Sequence, residues 1–178
     1  MPEHVRSGEP LGGMPIATAP TWTNPLVGMF ALMGAVSQNY GHDSIPVMRS
    51  GLRTLGRRTG QAMLEANLVG AGCTPTEWGR FTHQLMDLTG MYVYQEIAST
   101  ETMYEFVVPS SAWPYHEPVA YLHAPPEACD MSADWDRGCL DVINPQIVIT
   151  QPECSGRGDE HCRWHYEMPS PAGHLTPT

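Results

Sequence analysis

Lysine is absent from this chain. All nine basic residues are arginines, and against 19 acidic residues they leave a formal net charge of -10. Without a lysine amine, Schiff-base chemistry on the protein is excluded. A nucleic-acid surface is excluded as well, because neutralising phosphates takes a clustered basic stripe and the whole chain repels them. No apolar run approaches the roughly eighteen residues of a membrane span. Acidic Glu3, and the lack of an apolar core before a small-residue cleavage site, argue against a secretory leader and predict a cytoplasmic protein. Cysteine is sparse and odd in number, five in 178 residues. In a cytoplasmic chain that favours metal binding or catalysis over a disulfide framework. There are no internal repeats.

What is present fits one soluble globular domain: 42% hydrophobic and 16% charged residues, on a chain long enough for a real core. Residues 1–23 and 169–178 are rich in Pro, Gly, Ser and Thr and lack periodicity, so they read as a flexible arm and tail around a domain at 24–168. Asn24-Pro25 opens a helix carrying Leu26, Phe30, Met33 and Val36 up to Gly41. A second helix is predicted from Asp43 or Ser44 to about Val69, stopped by Gly70-Ala71-Gly72. Its Arg49, Arg53 and Arg57 recur every four residues and line one side, either as a carboxylate clamp or as a solvated face paired with acidic neighbours. Thr74-Pro75-Thr76-Glu77 is a capping box for a third helix, on which His83 follows Phe81 as a structural residue or a substrate contact.

Two aromatic and β-branched runs, Met91–Ile97 and Thr102–Val108, form a hairpin. Glu96 and Glu105 lie within it, as acid–base candidates if inward and ordinary carboxylates if outward. Residues 109–126 make a long irregular crossing with Trp113, Tyr115, His116 and His123, the kind of loop that walls a pocket. A short helix follows, from Pro126 through Val142. A second hairpin closes the domain, with Ile147–Thr150 and Trp164–Tyr166 joined across Cys154, two glycines and Cys162. Helices first, then strands, a helix and strands argue for an α+β fold with N-terminal helices packed on an antiparallel sheet.

Cys154 and Cys162 face each other across the hairpin, and Cys129 on the preceding helix could join them. Three thiolates with one of Glu153, His161, His165 or Asp134 would suit zinc better than calcium or magnesium. The competing chemistry makes Cys129 a nucleophile beside Asp134 and a loop histidine, His116 or His123.

Cys154-x3-Gly158-Asp159-x2-Cys162-x-Trp164 resembles the closing motif of the 4-vinyl reductase family of small-molecule-binding domains. It is equally similar to the ending of the L-2-amino-thiazoline-4-carboxylic acid hydrolase family. Gly56-Arg57-Arg58-Thr59-Gly60, Cys129-x4-Asp134-Trp135 and Asn144-Pro145 extend the second resemblance over about residues 25–168. The resemblance implies a small-molecule pocket between helices and sheet, with zinc held by Cys154, Cys162 and Cys129 beside it. Two positions depart from the pattern: Gln151 stands where a glutamate is usual, and Ala112-Trp113-Pro114 where hydrolase relatives have Cys-Pro.

The leading expectation is a hydrolase acting on a C–N or C–S bond of a compact substrate, cyclic or open. In it Cys129, Asp134 and His116 are catalytic, and Trp113, Tyr115, His123 and His83 bind substrate. The alternative is a non-catalytic sensor-like domain holding an aromatic or hydrocarbon ligand above a structural zinc. A third reading is a scaffold subunit like the transport-particle relatives of the fold. A homodimer is compatible with each.

Overall fold

The computed structural model describes residues 5–6, 25–89, 94–109 and 124–169. Helix α1 (Pro25–Tyr40) begins at the expected proline and buries Phe30 and Met33. Helix α2 (Ser44–Glu65) starts where the Ser44 hydroxyl donates to the Gly41 carbonyl at 2.7 Å. It ends four residues before the predicted Val69. The stop comes from Asn67, at φ 54°, rather than from the glycines downstream. The Leu68 N–H donates to the Met63 carbonyl and the Asn67 N–H to that of Leu64, a Schellman cap whose left-handed position asparagine tolerates.

Helix α3 (Pro75–Thr89) has the predicted capping box. The Thr74 N–H donates to Glu77 Oε2 at 2.7 Å and the Glu77 N–H returns to Thr74 Oγ1 at 3.2 Å. Strands β2 (Tyr94–Ser99) and β3 (Met103–Pro109) form the first hairpin, with a bulge between Glu96 and Ala98. Helix α4 (Ala128–Ile143) starts two residues later than expected, because Pro126 and Glu127 form a turn. Strands β4 (Val148–Glu153) and β5 (His161–Glu167) are joined by a 3-10 turn, Ser155–Arg157, and by Gly158 at φ 102°, which only glycine adopts without strain.

The five-stranded antiparallel sheet runs β1-β2-β3-β5-β4, where β1 is the two-residue segment Val5–Arg6. The architecture is therefore the α+β one that the order of elements predicts. Pairing of β3 with β5 fuses the two hairpins and makes β5 an inner strand. Its inward residues Cys162, Trp164 and Tyr166 alternate with the more exposed His161, Arg163 and His165. One edge of the sheet is β4, and it is blunted. Arg157 donates to the outward carbonyl of Gln151 at 2.9 Å, Arg137 reaches that of Ile149 at 3.4 Å, and Pro152 withholds a donor.

Helices α2 and α4 pack backbone to backbone. A Cβ on Gly56 would stand 2.1 Å from the Trp135 carbonyl oxygen, and one on Gly138 2.2 Å from that of Arg53. Ion pairs flank this seam. Arg49 binds Asp130 and Asp134, Arg53 and Arg57 share Asp141, and Arg137 returns to Asp130 and Asp134. Of the two readings of the arginine row, the structure takes the one with acidic neighbours.

Hydrogen bonds from Arg53, ahead of opposing burial, hold the Asp141 carboxyl below its ordinary value. A depressed folded-state value adds stability above the unfolded one and loses it as pH falls through the folded one. Asp141→Asn should thus lower the melting temperature at pH 6, and the gap from wild type should close below about pH 4. Thermal melts across that range test it; a gap that stays constant with pH contradicts the ionic origin.

Candidate functional site

Three sulfurs converge where α4 meets the β4–β5 hairpin. The Sγ atoms of Cys129, Cys154 and Cys162 lie within 4.8 Å of one another, and the residues are 2%, 0% and 0% exposed. Cys129 comes from the first turn of α4, Cys162 from the inward face of β5, and Cys154 from the end of β4.

Cys154 faces inward because of a bulge. Thr150 pairs with His165 but Glu153 pairs with Arg163, so Gln151 and Pro152 together oppose Trp164 alone. The extra residue shifts the alternation. Ile149, Gln151 and Cys154 share the inner face, while Glu153 turns outward to His161 and Arg163. The Gly-Asp pair of the motif has a mechanical role. Gly158 closes the turn, and Asp159 Oδ2 accepts the Cys154 N–H at 2.6 Å.

The three thiols are electrically unequal. The thiols of Cys129 and Cys154, then the Ser155 hydroxyl and amide, donate toward Cys162 and pull its value down against burial. Cys129 is pushed up by its hydrogen bonds with Cys154 and Cys162 and by burial. Among the described residues, no histidine nitrogen or carboxylate oxygen joins the cluster. The carboxylate candidates for a fourth ligand have other partners. Glu153 pairs with His161 and Arg163, and Asp134 with Arg49 and Arg137, while His165 stands opposite Thr150 and Glu105 in the sheet register.

Four-coordinate zinc holds its sulfurs about 3.8 Å apart at a Zn–S distance of about 2.3 Å. The triad therefore fits three corners of such a site with a small inward adjustment. The remaining cysteines stand apart from it: burial pushes Cys73 up to about 11, with Glu77 adding to the shift, and burial likewise raises Cys139.

A second group of residues surrounds His83, which is 1% exposed. Its ring stacks on Tyr94 at 3.5 Å between centroids and meets the edge of Phe106 at 4.4 Å. Its Nδ1 lies 2.8 Å from the Tyr104 hydroxyl. That hydroxyl also serves Glu96, whose carboxyl stays low against burial because Arg80, Ser99 and Tyr104 all donate to it.

Glu96 is thus inward but ionised, and Glu105 is paired with Arg163 at 2.6 Å. Both carboxylates are engaged by arginines rather than left open for acid–base work. The sequence reading missed Tyr94, Tyr104, Phe106 and Tyr166 as a set, although the alternation of Tyr104, Phe106 and Val108 along β3 already marks one inward face. Trp113, Tyr115, His116 and His123 lie outside the described residues. Among the described residues, no helix is long and apolar enough to cross a membrane.

No family model and no curated protein matches the chain. Among solved structures it is similar to the phenol-responsive sensory domain of the transcription activator PoxR bound to phenol. The TM-score is 0.53 with 16% identity, covering 80% of this chain and 74% of that one. It is also similar to trafficking protein particle complex subunit 3 from Naegleria fowleri, covalently bound to palmitic acid. There the TM-score is 0.48 with 11% identity, covering 82% and 96%. The first likeness shows a 4-vinyl-reductase-like fold.

Proposed function

We propose that this chain is a ligand-binding domain for a small hydroxylated aromatic molecule, with a metal ion held by Cys129, Cys154 and Cys162 stiffening the hairpin beside the pocket. The observation that carries it is the buried aromatic group on the inner face of the sheet. Tyr94, Tyr104, Phe106 and Tyr166 gather around His83, with ring centroids 3.5–6.4 Å apart. Such a wall recognises an aromatic ring by contact. The PoxR sensory domain, of the same fold, is phenol-responsive and was solved with phenol, which supports this class of ligand. Trp113, Tyr115, His116 and His123 are the proposed remainder of the wall.

This reading stands above hydrolysis. Asp134 is bound by two guanidinium groups and Cys129 is pushed away from thiolate, so the pair lacks the activated nucleophile and available base that a cysteine hydrolase needs. A thiophilic ion of the zinc kind is the one we assign to the triad. When bound, it would supply a crosslink between α4 and the hairpin, with Ser155 donating to the Cys162 sulfur.

Calorimetric titration with phenol tests the reading. Phenol should bind at one molecule per chain, and Phe106→Leu, which removes one ring of the aromatic wall at nearly constant volume, should weaken binding several-fold. A folded wild type that takes up no phenol would overturn the assignment.

A further inference from the structure

The donor set of the triad is complete for an ion that wants three sulfurs and incomplete for one that wants four. Zinc in a structural site takes four protein ligands. Here the described residues contribute three thiols and no charged fourth group. Solvent is poorly placed to fill the gap: Cys154 and Cys162 are 0% exposed. The turn backbone also presses on the cluster, so that a Cβ on Gly156 would stand 3.1 Å from Cys129 Sγ and 3.5 Å from Cys154 Sγ.

The polar side chain on the inner face of β4 is Gln151, one inward step before Cys154. Both polar atoms of its side chain are buried without a hydrogen-bond partner. A neutral amide adds no charge and is a weak donor to zinc. A divalent ion on three thiolates would leave one net negative charge within the hydrophobic core, and burying an uncompensated charge is costly. A trivalent ion on three thiolates is neutral, and trivalent arsenic keeps a lone pair where a fourth ligand would otherwise stand.

We propose that the Cys129–Cys154–Cys162 triad is a three-sulfur site that takes trivalent thiophilic ions of the arsenite class in preference to zinc. This rests on the reading of the triad as a metal site and specifies its selectivity. Binding is a ligand exchange: arsenous acid and three thiols form three As–S bonds and release three waters, with no change of oxidation state. Gln151 sets the preference as a positioning residue. A carboxylate there would supply the charged fourth donor that zinc lacks.

The test uses the full chain, reduced and loaded with one zinc, titrated with arsenite while a chromophoric chelator reports released zinc. One arsenic per chain should displace one zinc, and arsenic-edge absorption on the wild type should show three sulfur neighbours. Gln151→Glu should require at least tenfold more arsenite for the same release, and Cys129→Ser should lose stoichiometric arsenic. Zinc retained by the wild type against excess arsenite overturns the preference while leaving the metal site standing, as does equal behaviour of the wild type and Gln151→Glu. A chain that takes up neither ion overturns both. Arsenic bound with fewer than three sulfurs, or bound stoichiometrically after Cys129→Ser, refutes the three-sulfur site.

Discussion

Stripping the metal from zinc-loaded protein will lower its melting temperature by about 10 °C. An ion that binds only the folded chain stabilises it by about 4 kcal/mol when free ion stands at about a thousand times the dissociation constant. For a chain of this length, each kcal/mol shifts the midpoint by about 2–4 °C. The reason for a large effect is where the three sulfurs come from. Cys129 lies at the start of α4 and Cys154 and Cys162 on the closing hairpin, so one ion ties the helix that bears on α2 to the edge of the sheet. Without it, three polarised thiols stay buried with mostly each other for partners, plus the Ser155 hydroxyl and amide at Cys162. Calorimetry with and without chelator measures the shift. Cys154→Ser should melt where the stripped wild type does and ignore chelator. An unchanged midpoint after complete metal removal would sink the structural role.

The elements were legible in the sequence because local chemistry dictates them. The Thr74–Glu77 capping box, the proline at 25 and the alternation of β5 need no tertiary context. The convergence of Cys129 with Cys154 and Cys162 was also legible, because a hairpin faces its two ends together and the preceding helix must pack on it. What escaped depends on contacts distant in sequence, or on a single inserted residue. The bulge at Gln151-Pro152 decides that Cys154 points inward and Glu153 outward, and composition does not announce a bulge. Asp134 looked like a partner for Cys129 because they share a helix. Its ionic partner Arg49 lies far away in sequence, on α2. Asn67 ended α2 ahead of the more conspicuous glycines because a left-handed asparagine completes the same cap.

The seam between α2 and α4 makes the sharpest contrast, because three glycines one helix apart should respond in opposite senses. Gly51→Ala meets open space, so removing the conformational freedom of glycine should stabilise the protein by about 0.4–1 kcal/mol. Gly56→Ala and Gly138→Ala place a methyl about 2 Å from a carbonyl oxygen of the facing helix. Backbone cannot rotate out of the way as a flexible side chain can, so the helices must separate. Each should cost about 3 kcal/mol or more, at the upper end for overpacking. Separation also draws Arg53 from Asp141 and Arg49 from Asp130 and Asp134, so the ionic flank does not compensate. Since α4 carries Cys129 at its start, a displaced α4 misplaces one sulfur of the triad. Gly138→Ala should therefore weaken metal binding as well as folding, measured by denaturant midpoint and metal stoichiometry on the same sample. A Gly138→Ala protein as stable as wild type would mean that the helices are not held at the close approach that positions Cys129.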